Sequence, residues 1–399
     1  MPTVYHLLTE SEPFSEQRGG AISRWVANVV RAEQDTVVLA PSDDGSWGFA
    51  AERVRLVDGL AAYKRYNERF GRLLRWPIRT RLLRALLADP LAQLRPGDTL
   101  WVHNRPEYAA AIEPLVHRAG ARLVLHLHNS HLMEWPNYIV HAIKADHTVF
   151  LTRFLQTEAQ HRLPNLGPSD VTYSGADTAI FYPPHGSSRQ YTGATPTVLF
   201  VGRLVPEKGV HVLAQAMEQL LRRGVALQAV VLGGADFSGG SSGSATPYMR
   251  ELQRIAPPNL SFHGYCAGTA LGETFRQADI FCVPSVWQEA LGLVVVEAMA
   301  SGLPVVASRS GGIPELLAGG GGVLVDRGSA SQLADALEML ANNVALRHEV
   351  AREAYVSFQE NFTWDVVRGN YRRILHNLRQ PSTQPVTLEV ECATFPRSA

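Results

Sequence analysis

Val283-Pro284-Ser285-Val286-Trp287-Gln288-Glu289-Ala290-Leu291-Gly292-Leu293-Val294-Val295-Val296-Glu297-Ala298-Met299-Ala300 reads as the end of a buried strand, a loop and the opening of a helix. An apolar strand that passes directly into an apolar helix is written for a parallel sheet covered on both faces. Gly292 opens the helix. The amides of Gly292, Leu293 and Val294 fall at its amino end, where unpaired N–H groups and the helix dipole favour a diphosphate. Glu297, further along the helix, offers a carboxylate suited to a ribose diol. Glu289 lies on the other side of the phosphate position, where a transferred sugar would be.

The same alternation repeats on both sides of this unit. Strands are expected at Thr197 to Gly202, Ala226 to Gly233, Leu260 to Tyr265, Asp279 to Pro284, Pro304 to Ser308 and Gly322 to Val325, with helices between them. The first half gives Thr3 to Leu8, Asp35 to Ala40, Thr99 to His103, Arg122 to His128 and His147 to Leu151, again with helices between. This is an α/β pattern of two Rossmann-like, doubly wound parallel-sheet domains with a ligand cleft between their carboxyl edges. The expected division is a first, acceptor-binding domain over 1–185, a Pro- and Gly-rich linker over 186–196 and a second, nucleotide-sugar-binding domain over 197–362. A helix over 363–380 packs back on the first domain, and a disordered tail covers 381–399. A mobile loop is expected from Asp236 to Thr246.

The 399 residues suit two domains, and 37 basic against 37 acidic side chains do not point to nucleic acid. Cys266, Cys282 and Cys392 have no metal-type spacing, which suits a reducing compartment. The N-terminus lacks a basic region followed by a long apolar run, and no stretch approaches the roughly 18 apolar residues of a spanning helix. A cytoplasmic protein is expected, peripheral at most.

Further segments converge on the cleft. Val201-Gly202-Arg203-Leu204-Val205-Pro206-Glu207-Lys208-Gly209 follows a strand and precedes a helix, so Arg203 and Lys208 can meet one diphosphate and stabilise it as a leaving group without a metal. No Asp-x-Asp motif occurs. Backbone groups of Phe262-His263-Gly264-Tyr265 are placed to read a nucleobase edge. Gly19 and Gly20 let backbone amides approach a phosphate or donor sugar. His126 and His128 end one strand and are candidates there. His103-Asn104-Arg105 ends another, and Arg105 is a candidate for an acidic acceptor. Between Tyr63 and Arg84, Lys64, Arg65, Arg69, Arg72, Arg75, Arg79, Arg81 and Arg84 interleave with apolar residues, as in a helix on anionic lipid; a solvated helix face is the plainer reading.

At the paired glutamates, at Gly202-Arg203-Leu204 with Lys208-Gly209, and at Gly311-Gly312-Ile313-Pro314-Glu315, the chain resembles the retaining family-four glycosyltransferases, glycosyl transferases group 1. The resemblance runs from Gly19-Gly20 to Phe362-Thr363-Trp364. It implies the GT-B fold and transfer from a UDP- or GDP-linked sugar to a carbohydrate or lipid-linked acceptor, with no cofactor and no metal. It assigns Arg203 and Lys208 to the diphosphate, Glu297 to the ribose, and Glu289 and His128 to the donor sugar. Its implied reaction is front-face substitution; a covalent route through a carboxylate is the alternative. Leu291 stands where the family usually has Phe, and Ser174-Gly175-Ala176-Asp177 where Asn-Gly-Val-Asp is typical. The rival readings are a nucleotide-sugar hydrolase or epimerase on the same fold, and a non-catalytic sugar-binding assembly protein.

Overall fold

The computed structural model describes residues 2–16, 18–45, 47–70, 76–163, 166–184, 195–235 and 245–380. Strands β1 (Val4–Leu7), β2 (Thr36–Ala40), β3 (Val54–Leu56), β4 (Thr99–His103), β5 (Arg122–Leu127), β6 (His147–Phe150) and β7 (Ser169–Val171) form one sheet, in the order β3-β2-β1-β4-β5-β6-β7. Strands β8 (Thr197–Val201), β9 (Gln228–Leu232), β10 (Leu260–Phe262), β11 (Ile280–Val283), β12 (Val305–Ser308) and β13 (Gly322–Val325) form the second, in the order β10-β9-β8-β11-β12-β13. Every pairing is parallel. The strand order reverses between β1 and β4 and again between β8 and β11. Those switch points put a crevice at the carboxyl end of each sheet.

The central strands are buried throughout, as in β2 and β4, which accounts for their continuous Val and Leu runs. The edge strands β3 and β7 were not expected from the sequence. Each has three residues, is partly exposed and mixes charge with apolar side chains (Val54-Arg55-Leu56, Ser169-Asp170-Val171), so neither has an apolar run to announce it. An 18-residue helix, Val344–Asn361, was likewise unannounced; its apolar residues do not gather on one face.

The last helix, Trp364–Arg379, starts at Thr363, whose hydroxyl accepts from the Val366 amide. It crosses to the first domain, where Val367, Tyr371 and Ile374 are buried with Trp25 and Trp101. Arg372 pairs with Glu33 at 2.7 Å and Arg373 with Asp170 at 3.1 Å. The segment 381–399, most of the linker and most of the loop at 236–246 lie outside the described residues. Among the described residues no helix is long and apolar enough to cross a membrane.

Candidate active site between the two sheets

The helix that decides the fold runs Leu293–Ala300, with Gly292 before it at φ 84° and no side-chain cap. Among the described residues nothing accepts from the amides of Gly292, Leu293 or Val294. An uncapped helix start with free N–H groups binds an anion. Leu291 is buried beside it. Glu297 lies one turn in and is buried, and burial pushes its carboxyl up to about 7 against the pull of Arg24. Arg24 belongs to the helix Ala21–Val30 of the first domain, so this carboxyl senses both domains.

Glu289 sits in the loop ahead of the helix. Its Oε1 accepts from Lys208 Nζ at 2.6 Å and from Ser285 Oγ at 2.6 Å. Two turns of chain hold it there. Gly209 has φ 71°, and a Cβ on it would lie 1.9 Å from the Pro284 carbonyl oxygen. Gly311 has φ 54°, and its Cβ would lie 1.9 Å from the Glu289 carbonyl oxygen. Only glycine permits either approach. Lys208 therefore rests on Glu289, and its Nζ also lies 5.5 Å from the Trp287 ring centroid. Arg203 follows β8 on the same side of the sheet.

Several expectations are revised. The amides of Gly311 and Gly312 are engaged by Gln288 Oε1 and the Glu289 carbonyl; they fix the loop instead of facing a ligand. The Gly264 carbonyl and His263 amide are likewise taken, by Gly233 and Val231, so of the backbone groups there these two are engaged, beside a half-exposed Tyr265 ring. At Gly19-Gly20 the anion is the protein's own. The Gly19 amide donates to Ser15, and Glu12 accepts from Ser23 at 3.0 Å and lies against Gly20. Arg105 has its acidic partner inside the chain as well: Nε and Nη2 meet Glu10 at 2.7 and 2.9 Å, and Tyr108 donates to the same carboxylate. Burial raises the Glu10 carboxyl, and Arg105 more than reverses this, leaving it below the ordinary value.

The basic stretch divides in the same way. Arg79 is buried, 5.2 Å from the Trp135 ring centroid, and Arg84 donates to the Ala111 carbonyl at 2.6 Å. Arg72 and Arg75, and the side chain of Arg69, lie outside the described residues. On the acceptor side His128 is buried just past β5, and His126 is fully buried beneath it.

One contributor was visible in the sequence only as part of a motif, without its role. Glu315 reaches from the second domain to the amides of Arg153 and Phe154, at 2.8 and 2.9 Å, and caps a helix of the first domain. Tyr173 donates to the same carboxylate, and Thr152 to the Ala290 carbonyl.

Residues 189–357 match the family model described as glycosyl transferases group 1. The second domain is thus similar to the group 1 glycosyltransferases. Among relatives, a GDP-mannose-dependent alpha-(1-6)-phosphatidylinositol monomannoside mannosyltransferase of Mycolicibacterium smegmatis is 29% identical over 74% of this chain and 78% of its own length. The putative glycosyltransferase YtcC of Bacillus subtilis is 28% identical over 51% and 53%. The chain spans about half the length of YtcC and of a Mycobacterium leprae phosphatidyl-myo-inositol mannosyltransferase, at 53% and 46%. Among solved structures, sucrose-phosphate synthase from Thermosynechococcus elongatus superposes with TM-score 0.70 at 19% identity, over 94% of this chain and 99% of that one. Anabaena HepE in complex with UDP gives 0.71 at 20%, over 94% and 100%. The two-domain fold is therefore GT-B.

Proposed function

We propose that this chain is a retaining glycosyltransferase of group 1 that moves a sugar from a nucleotide diphosphate sugar to a carbohydrate or lipid-linked acceptor without a metal ion. The observation that carries the reading is the uncapped amino end of Leu293–Ala300, with the Lys208–Glu289 pair on one side and buried Glu297 on the other. A diphosphate there meets free amides, and Lys208 and Arg203 supply the positive charge that a metal would otherwise bring. As Lys208 turns to the phosphate, Glu289 is freed to accept from hydroxyls of the donor sugar. Glu297 accepts from the ribose. The bond from the anomeric carbon to the phosphate oxygen breaks while the acceptor oxygen joins from the same face, and the departing phosphate takes the acceptor proton. Position and fixed charge do the catalytic work.

A UDP- or GDP-linked donor is favoured by the relatives: one is GDP-mannose-dependent, and HepE has been crystallised with UDP and with UDP-glucose. The proposed setting is cell-surface polysaccharide or glycoconjugate synthesis in the cytoplasm; the lipid-linked acceptor has a parallel in the phosphatidylinositol monomannoside named for one relative. A peripheral contact with the anionic inner membrane face rests on Lys64, Arg65 and Arg81, which are at least partly exposed. Thermal stabilisation by a panel of nucleotide sugars tests the donor site, because a ligand that binds only the folded chain raises Tm. Turnover in excess chelator, with the anomeric configuration of the product read by NMR, tests the rest. An inverted product or a strict need for a divalent ion refutes the proposal.

A further inference from the structure

Four side chains form an unbroken file of hydrogen bonds through the first domain. Tyr371 Oη, on the last helix, lies 2.9 Å from His6 Nε2. His6 Nδ1 lies 3.0 Å from His103 Nε2, and His103 Nδ1 lies 3.0 Å from His128 Nε2. The file crosses from β1 to β4, the two strands at the switch point of the first sheet, and ends just past the neighbouring β5. All four residues are buried. At the cleft end, His128 Nδ1 has no partner among the described residues.

The direction of this file follows from counting hydrogens. Burial holds His6 and His128 down to about 3 and His103 well below its ordinary value, so all three rings are neutral. Burial also keeps the Tyr371 hydroxyl protonated. A neutral imidazole has one N–H and one acceptor nitrogen, so each contact takes one hydrogen and the whole file must point one way. With Tyr371 donating to His6, the N–H sits on Nδ1 of His6, of His103 and of His128, and every hydrogen within the file has an acceptor, the one on His128 Nδ1 being left at the cleft end. With the opposite direction, the Tyr371 oxygen accepts and its own hydrogen is left buried without an acceptor, which folded interiors avoid. We propose that Tyr371, acting through His6 and His103, fixes His128 as its Nδ1–H tautomer, so that the cleft is offered a hydrogen-bond donor there.

A metal centre is the competing use of these rings. Ligand atoms of His103, His126 and His128 lie within 4.8 Å of one another. A tetrahedral zinc with nitrogens at 2.0–2.1 Å requires them about 3.3 Å apart, and the facing nitrogens of His103 and His128 are already bonded to each other. Both nitrogens of His126 lack a hydrogen-bond partner, and its ring meets Trp25 edge-on at 4.6 Å. The hydrogen-bonded file accounts for more of the geometry. Its catalytic consequence rests on the transferase reading: a fixed N–H can hold a sugar hydroxyl or developing negative charge, and it cannot take a proton. Tyr371, His6 and His103 are then positioning residues.

Nitrogen-15 histidine labelling of the full chain reads the tautomers directly, with the His128 signals assigned from a His128→Asn sample. The expected wild-type spectrum has His128 protonated at Nδ1 and bare at Nε2 from pH 6 to 8. Tyr371→Phe removes the hydroxyl hydrogen, so the His128 signals move to those of a tautomer mixture, and kcat falls about tenfold with donor KM nearly unchanged. A wild-type N–H on Nε2, an unaltered His128 tautomer in Tyr371→Phe, or one metal ion per purified wild-type chain each overturns the proposal. The tautomer readings need no turnover, so they separate failure of this proposal from failure of the transferase assignment, and the metal count of the wild-type chain depends on no variant folding.

Discussion

Glu297→Gln should make the ligand-free protein more stable and, at the same time, a poorer binder. Burial places the Glu297 carboxyl at about 7 in the folded chain, against an ordinary 4.5. The folded state therefore binds more protons than the unfolded state between those values. The stability this gives is complete below pH 4.5 and is lost as pH rises through 7. With each pH unit worth about 1.4 kcal/mol, taking wild type from pH 5 to pH 8 costs about 2.5 kcal/mol through this residue. Glutamine does not titrate, so the variant escapes that cost. Its gain over wild type at pH 8 should exceed its gain at pH 5 by about 2.5 kcal/mol, or roughly 5–10 °C in the transition of a domain of this size. Glu12 and Glu107 are also pushed up by burial, but they are common to both proteins and cancel. Thermal scans of both proteins at the two pH values, repeated with a nucleotide diphosphate ligand, make the measurement. An amide forms weaker bonds to ribose hydroxyls than a carboxylate, so the ligand-induced rise in Tm should shrink as affinity drops about tenfold or more. Equal gains at both pH values would refute the buried-carboxyl argument. Undiminished ligand stabilisation would refute the ribose assignment.

Other substitutions test the neighbouring parts. Lys208→Met removes the cation beside the helix start and leaves Glu289 without its 2.6 Å partner; nucleotide diphosphate affinity by calorimetry should fall about 10- to 100-fold, and an unchanged affinity would remove Lys208 from the site. Gly311→Ala drives a methyl into the Glu289 carbonyl and should cost about 2–4 kcal/mol by denaturant unfolding, with loss of turnover; a neutral result would mean that the loop has room. Arg105→Ala should act on the fold and not on acceptor KM. It strands the buried Glu10 charge, for about 3–5 kcal/mol, and more at pH 8 than at pH 5, because burial, the largest influence on the Glu10 carboxyl, is then opposed only by the Tyr108 and backbone hydrogen bonds. A raised acceptor KM with unchanged Tm would restore the original view of Arg105.

The alternation of apolar runs with helices carried the fold, because a parallel strand covered on both faces leaves few choices of residue. Where that cover is missing, as along β3 and β7, the pattern disappears. The donor side of the site was legible for a related reason. Glycines that permit close backbone approach, the helix start at Gly292 and two glutamates lie within one short stretch, so sequence distance approximates spatial distance. On the acceptor side this fails. Glu10 and Arg105 are 95 positions apart, and Tyr371 and His6 are 365 apart. Arg105 and Gly19-Gly20 read as open sites only because the carboxylates that occupy them, Glu10 and Glu12, gave no sign of their direction. Glu315 was visible as part of a motif, but its role in capping a helix of the other domain was not.

The last helix has a consequence for synthesis on the ribosome. The first sheet is complete once β7 has emerged, yet the side chains that close one of its faces, Val367, Tyr371 and Ile374, come from the far end of the chain. At 5–20 residues per second they arrive on the order of 10–40 s later. Throughout that interval Trp25 and Trp101 form an uncovered apolar seam, and His6 waits for its phenol. The first domain to be made is the last to be finished, so a nascent chain halted before Trp364 should be a substrate for chaperones even though its second domain can already fold.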